Sequence, residues 1–214
     1  MSRETDRGGA AGGLVIECRD ILLRGFRAED LEAFHALTWQ PEIHRWLPGW
    51  NVPLETRRDW LLNYEIKENQ EVERSLATTG RIQDLRLRLG ICTKDTGEFI
   101  GWCCSGIKEE LPPPNREIVY AISRDYRGKG YTTQAAEGLI RFLFTRTEVE
   151  WLAAVALLTN TPSNRVIGKC GFTLVGQMEI NDEGYNHYLL CRSEWEGRQP
   201  GGKGERGISR NEGG

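Results

Sequence analysis

The chain has 214 residues, 39% of them apolar and 28% charged, with a formal net charge of −3 at pH 7. That length suits one core of ordinary size rather than two, and the composition is that of a globular domain. The slightly acidic balance excludes an overall basic footprint for nucleic acid, and no apolar run approaches the roughly 20 residues of a membrane span.

The two ends stand apart from the middle. Residues 1–13 and 197–214 together hold 11 of the 25 glycines and bury too little apolar surface to offset the entropy of ordering. Both are expected to be disordered, which leaves a single domain at 14–196. The start lacks the apolar core of a secretory signal. Cys18, Cys92, Cys103, Cys104, Cys170 and Cys191 show no Cys-x-x-Cys spacing, so they read as small buried hydrophobes in a reducing compartment. A cytoplasmic location is the expectation.

A first strand is predicted over 18–26, carried by Ile21, Leu22 and Leu23 and closed by Gly25. Asp30 reads as a helix N-cap before Leu31, Phe34 and Leu37. A short helix follows at 41–47 with Pro41 in its first turn, and Trp39, Trp46 and Trp50 gather around it. Aromatics at such spacing pack a core by default; the alternative is the wall of an acceptor pocket. Residues 54–75 read as a helix whose inner face is set by Trp60, Leu61, Tyr64 and Glu65, with the charged run 65–74 as a solvated side. Leu85, Leu87, Leu89 and Ile91 alternate with Arg86, Arg88 and Gly90, the pattern of a half-buried strand. Residues 94–98 form a hairpin turn and 99–107 the returning strand, before Pro112, Pro113 and Pro114 break the chain.

The stretch that follows organises the rest. Residues 118–122 read as a strand, 127–130 as a turn, and from Thr132 the apolar positions Ala136, Leu139, Ile140 and Leu143 take a helical spacing. Strand, glycine-bearing basic turn and helix together point free backbone N–H groups at an anion. Gly128 and Gly130 permit close backbone approach, and Arg127 and Lys129 add positive charge. A diphosphate is the natural guest. Residues 151–158 are apolar throughout, as in a strand covered on both faces, and complete a right-handed parallel crossover. Ser163 then reads as the cap of a short helix, Gly171 as its end and Phe172 as its packing residue. Final strands are predicted at 172–178 and 185–192, joined by 179–184.

Arg127-Gly128-Lys129-Gly130-Tyr131-Thr132 resembles the acyl-CoA pyrophosphate loop of the GNAT N-acetyltransferases, Gln/Arg-x-x-Gly-x-Gly/Ala, with Thr132 standing where the family prefers Gly or Ala. It matches neither the P-loop nor the Gly-x-Gly-x-x-Gly fingerprint. Asn160, Ser163, Lys169, Gly171 and Phe172 resemble the family's second signature. The segments 22–30 and 96–102 are similar to the subgroup that includes the ribosomal-protein N-terminal acetyltransferases, and the resemblance covers roughly 14–196. It implies the α/β (α+β) GNAT fold, a mixed and mostly antiparallel sheet of six or seven strands flanked by about four helices. It also implies acetyl-CoA as cosubstrate between splayed parallel strands at 117–123 and 151–158, held by Tyr120, Ala121, Ile122, the loop Arg127, Gly128, Lys129, Gly130, Tyr131 and Thr132, and by Asn160, Ser163 and Lys169. No metal is implied. The implied partner is an amine acceptor, a small molecule or a protein N-terminus, with no nucleic acid and no membrane, and the protein itself is a monomer or homodimer. A non-catalytic acyl-CoA-binding module on the same fold is the alternative reading.

Acyl transfer from a thioester to an amine needs a proton acceptor, a donor to the developing oxyanion, a proton for the departing thiolate, and alignment. Glu117 is the candidate base, directly or through water; a solvated strand-end carboxylate is the plain alternative. A main-chain N–H within 119–122 is the expected oxyanion donor. Ser163 is the expected proton donor, a role compatible with capping, because Ile167 stands where many family members carry a tyrosine acid. His35, His44 and His187 lack metal-ligand spacing. The resemblance implies that the acceptor enters between 39–50 and 179–184, past Glu42, Glu179, Asp182 and Glu183, a rim suited to cationic amines; simply solvated hairpin-tip carboxylates are the plain alternative.

Overall fold

The computed structural model describes residues 13–199; the tails expected to be disordered lie outside the described residues apart from 13 and 197–199. Strands β1 (Val15–Glu17) and β2 (Ile21–Gly25) come first, then helices α1 (Leu31–Thr38), α2 (Pro41–His44), α3 (Leu54–Trp60) and α4 (Ile66–Thr79). There follow β3 (Leu87–Thr93), β4 (Phe99–Ile107), β5 (Arg116–Ile122), α5 (Tyr131–Arg146) and β6 (Trp151–Leu157). Helix α6 (Thr161–Lys169), β7 (Thr173–Ile180), β8 (Glu183–Cys191) and α7 (Arg192–Gly197) complete the described chain. The strands form one sheet in the order β1-β2-β3-β4-β5-β6-β8-β7, antiparallel everywhere except between β5 and β6. The eighth strand, beyond the six or seven expected, is β1. It is only three residues long, too short to show a period, and it makes a hairpin with β2 where a single strand at 18–26 is read from the sequence.

Strand alternation divides the core in two. Leu87, Leu89 and Ile91 face α5, where Ala136, Leu139, Ile140 and Leu143 are buried as their spacing requires. The other face holds Phe34 and Leu37 of α1 against Trp102 and Cys104. Neighbouring Cys103 and Cys104 therefore belong to opposite clusters, and their thiols cannot meet. Burial pushes the Cys104 thiol up to about 12, so both behave as the apolar residues expected. No helix among the described residues is long and apolar enough to cross a membrane.

Two local expectations are corrected. Asp30 does not cap α1: its carboxylate accepts from the Arg27 backbone N–H at 2.7 Å and takes a two-pronged bond from Arg24, at 2.7 Å to each oxygen. A strand guanidinium next door outcompetes the helix N–H groups because the bond is charge-assisted and bidentate. The long helix is also not one regular element. Leu61–Glu65 is a π turn between α3 and α4, and the buried positions become Arg57, Leu61, Glu65, Asn69 and Val72. Trp60 and Tyr64 are left exposed. The charged run is solvated only in part: Lys67, Gln70, Glu71 and Arg74 are exposed, but Glu65 is buried, Glu68 binds Arg88 at 2.5 Å, and Glu73 accepts from the Leu14 N–H at 2.7 Å.

Parallel strands β5 and β6 share a single register pair, Glu117 with Ala153. Beyond it they diverge, so the backbone of β5 past Glu117 faces open space on its β6 side. This divergence is what positions the site.

Candidate active site

A cleft of about 1010 Å³ runs from the divergence of β5 and β6 to the chamber under α2 and α3. At one end stands the turn that precedes α5. Gly128 and Gly130 adopt φ of +76° and +78°, which glycine tolerates and other residues rarely adopt, and nothing lies within 4 Å of where a Cβ would project at either. The free N–H groups of the first α5 turn and its dipole face that open space. Arg127 is anchored, donating to the Glu42 carbonyl at 2.6 Å. Lys129 departs from its neighbours: its ammonium sits 4.6 Å over the Tyr126 ring and its side chain does not line the cleft. Arg127, Gly128, Gly130, Tyr131 and Thr132 all do.

Tyr120, Ala121 and Ile122 contribute the strand wall, and Asn160, Ser163 and Lys169 contribute the wall from α6. Asn160, not Ser163, caps α6, accepting from the Ser163 N–H at 3.3 Å with Pro162 in the first turn. Gly171 ends the helix as expected, at φ +88°, with its N–H bonded to Gly168 and that of Phe172 to Ile167. Ser163 is thereby freed as a cap, and its hydroxyl lies 3.1 Å from the Tyr120 hydroxyl. Tyr120 also donates to the Ser163 carbonyl at 3.3 Å, and burial raises its pKa against a smaller lowering by the Ser163 bond. Ile167, in the place of the family tyrosine, is buried in the core. Asn160→Ala is expected to lower stability by about 1 kcal/mol, whereas Ser163→Ala leaves the cap in place; thermal unfolding of the two variants compares them.

Glu117 is half-buried and lines the cleft where the strands part. Burial pushes its carboxyl up to about 7; Lys108 and Arg86 pull the other way, and Glu110 adds to the rise. A carboxylate near 7 is matched to accepting a proton at neutral pH. Among the described residues, no group of three or more His, Cys, Asp or Glu side chains is arranged to hold a metal ion.

Several site features carry no local sequence signal. Asn164 ties α6 to the sheet: it donates to the Leu157 and Asn160 carbonyls and accepts from Asn186 at 2.9 Å and Tyr188 at 2.7 Å. Gln40 joins the α1–α2 corner to the end of β5, donating to Ser123 at 3.1 Å and accepting from the Arg124 N–H at 2.9 Å. Of the three tryptophans around α2, Trp46 and Trp50 line the cleft, with Trp50 stacked on Trp102 at 5.1 Å, while Trp39 is exposed. Trp50 also packs against the core, so the two readings meet in it.

Of the carboxylates expected at the acceptor rim, Glu42 lines the cleft. Strands β7 and β8 extend to a two-residue tip, Asn181 and Asp182, both with positive φ. Ile180, Asn181 and Tyr185 line the cleft, and Glu179, Asp182 and Glu183 do not. Charge reversal at Asp182 and Glu183 is accordingly expected to leave kcat/KM for cationic and neutral amines alike, checked at low and high salt.

The family described as Acetyltransferase (GNAT) domain matches residues 20–173. A putative ribosomal N-acetyltransferase, YdaF of Bacillus subtilis (strain 168), is 33% identical over 89 residues, 39% of this chain and 49% of that protein. The chain spans about half the length of the curated relatives it matches. In three dimensions it is similar to a GNAT-family acetyltransferase from Bacillus anthracis, with TM-score 0.67 and 18% identity over 84% of this chain and 99% of the other. The ribosomal-protein-S5-alanine acetyltransferase from Vibrio fischeri gives 0.66 and 16%, over 87% and 100%. These two establish a shared fold. The match over residues 20–173, on a sheet with diverging parallel strands and a glycine turn before α5, makes this chain a member of the GNAT acetyltransferase family.

Proposed function

We propose that the protein moves an acetyl group from acetyl-CoA to a primary amine by direct attack within a ternary complex. The observation that carries this reading is Glu117: a carboxyl raised to about 7, on the same cleft as the Gly128–Gly130 cradle and at the point where β5 leaves β6. The residues fit the cosubstrate. The cradle accepts the diphosphate, the parted strands leave room for the pantetheine arm, and main-chain N–H groups of 119–122 are available to the thioester oxygen.

Glu117 accepts a proton from the amine, directly or through water, so that the nitrogen lone pair attacks the carbonyl carbon. A strand N–H stabilises the oxygen as it gains charge. When the C–S bond breaks, the thiolate takes a proton from Ser163, whose hydroxyl Tyr120 orients through their 3.1 Å contact, and the proton released by the acylated nitrogen restores Ser163 through solvent. The acceptor class is a primary amine, a protein N-terminus or a small molecule, and the name of the Bacillus subtilis relative supports including ribosomal-protein N-termini among those tried. Thiol release from acetyl-CoA with a panel of amines, followed by mass shift of the acceptor, tests the proposal. Tight CoA binding without thiol release from any amine would favour the non-catalytic module instead.

A further inference from the structure

The cleft has a second opening, a cavity of about 620 Å³ lined by Arg86, Ile107, Lys108, Glu109, Glu110 and Glu117. All of these except Glu109 also line the main cleft, so the two spaces meet at Glu117. Glu117 stands near the start of β5, and the glycine turn follows the other end of that strand. The opening therefore reaches the base from the side away from the diphosphate cradle, where an acceptor can approach while the cosubstrate is bound.

Three cations, Arg86, Arg88 and Lys108, line this part of the cleft, and they are not equally occupied. Arg88 is bound by one Glu68 oxygen at 2.5 Å, and the other accepts from the Arg86 backbone N–H at 3.0 Å. Lys108 pairs with Glu110 at 3.5 Å. Among the described residues the Arg86 guanidinium is paired with no carboxylate, and its hydrogen bond from Nη2 to the Ile107 carbonyl is long, at 3.4 Å. The backbone aims this cation at the base. Gly106 is the partner of Glu117 across the β4–β5 ladder, and a Cβ on Gly106 would stand 2.7 Å from Arg86 Cγ. The Arg86 stem thus lies across the space a side chain there would fill, one strand spacing of about 4.8 Å from Glu117. Arg86 is exposed, so its head group is within reach of a ligand in the opening.

Building on the acetyltransferase reading, we propose that Arg86 binds a carboxylate of the acceptor, so that the preferred acceptors are amino acids, with the amine end at Glu117 and the acid end at Arg86. Charge decides among the candidate groups. The amine arrives from neutral solution as an ammonium, which an ionised Glu117 attracts. A second ammonium would be repelled by Arg86, and a neutral arm would leave the guanidinium without a partner. A carboxylate takes the planar fork in a bidentate, charge-assisted bond, a geometry that arginine offers and lysine does not. Glu109 is exposed at the rim, where water and salt screen its opposing charge. Glu179, Asp182 and Glu183, which would favour a cationic acceptor, do not line the cleft.

The test pairs alanine, β-alanine and 4-aminobutanoate each with its own carboxamide, so that the charge is removed at three distances from the amine. In Arg86→Met, with melting temperature as the folding check, the ratio of kcat/KM for acid over amide is expected to fall about tenfold or more in at least one pair, and Arg86→Lys to restore part of it. Both members of a pair use the same base, so any effect of the variant on Glu117 cancels from the ratio, as does a general loss of activity. Calorimetric titration of the N-acetyl acids and N-acetyl amides, in the presence of CoA, reads the same preference without turnover. A binding preference for an acid that Arg86→Met removes upholds the carboxylate site even if no amine is acetylated, which would sink only the transferase reading. If neither the kinetic ratio nor the binding preference falls for any pair in folded Arg86→Met, the proposal is overturned.

Discussion

Gly130→Glu is expected to abolish CoA binding, lowering affinity by more than about 100-fold, while the protein still folds. Gly130 stands at φ +78° at the N-terminus of α5, and nothing lies within 4 Å of a Cβ built there. A side chain would thus meet no protein atom and would project into the cleft. Its carboxylate would face the bound diphosphate, where like charges repel, and its bulk would hold the phosphates away from the first helical N–H groups. The left-handed backbone costs a non-glycine residue about 1–2 kcal/mol, which a folded domain usually tolerates. Gly130→Ala separates the two causes, since it adds bulk and strain without charge and should lose less affinity. Calorimetric titration with CoA, beside thermal unfolding, gives the answer. Wild-type affinity in a folded Gly130→Glu variant would remove the turn from the cosubstrate site.

Glu117→Gln is expected to lower kcat by about 10²–10⁴, the range of a lost general base. The pH dependence is the sharper mark. With its carboxyl raised to about 7, Glu117 is mostly protonated below that pH and mostly ionised above it. In the parent protein kcat/KM should therefore climb as pH rises through about 7, and the variant should lack that limb. The same shift bears on stability with the opposite sign. A carboxyl raised from its ordinary 4.5 favours the fold most when protonated, so its contribution is full below 4.5 and is lost as pH rises through about 7. The amide carries no such charge, and the variant should be no less stable than the parent at pH 8. Activity and stability falling together would point to damage rather than to a missing base, and an unchanged pH profile would place the base elsewhere.

What could be read from the sequence alone was whatever depends on a residue and its near neighbours. The alternation through Leu87, Leu89 and Ile91, the helical spacing of Ala136, Leu139, Ile140 and Leu143, and the glycine turn before Tyr131 are all short-range signals. So is Gly171, where the left-handed residue that ends α6 is set by the backbone itself. These were enough to place the elements, while the fold itself followed from the resemblance to the GNAT acetyltransferases. The rest depended on partners that sequence distance hides. Asp30 turned from its expected cap to Arg24, and Ser163 gave the cap to Asn160 and met Tyr120, 43 positions away. A single inserted turn at Leu61–Glu65 carried Glu65 out of an apparently solvated run and into the chamber with Arg57. The hairpin carboxylates moved off the cleft for the same kind of reason: the β7–β8 pairing, not the composition of the loop, decided which residues formed its tip. Backbone preference is local and periodic, so it shows in the order of residues. The burial of a charge is settled by which opposite charge, carbonyl or ring the fold brings against it, and only the tertiary structure chooses that neighbour.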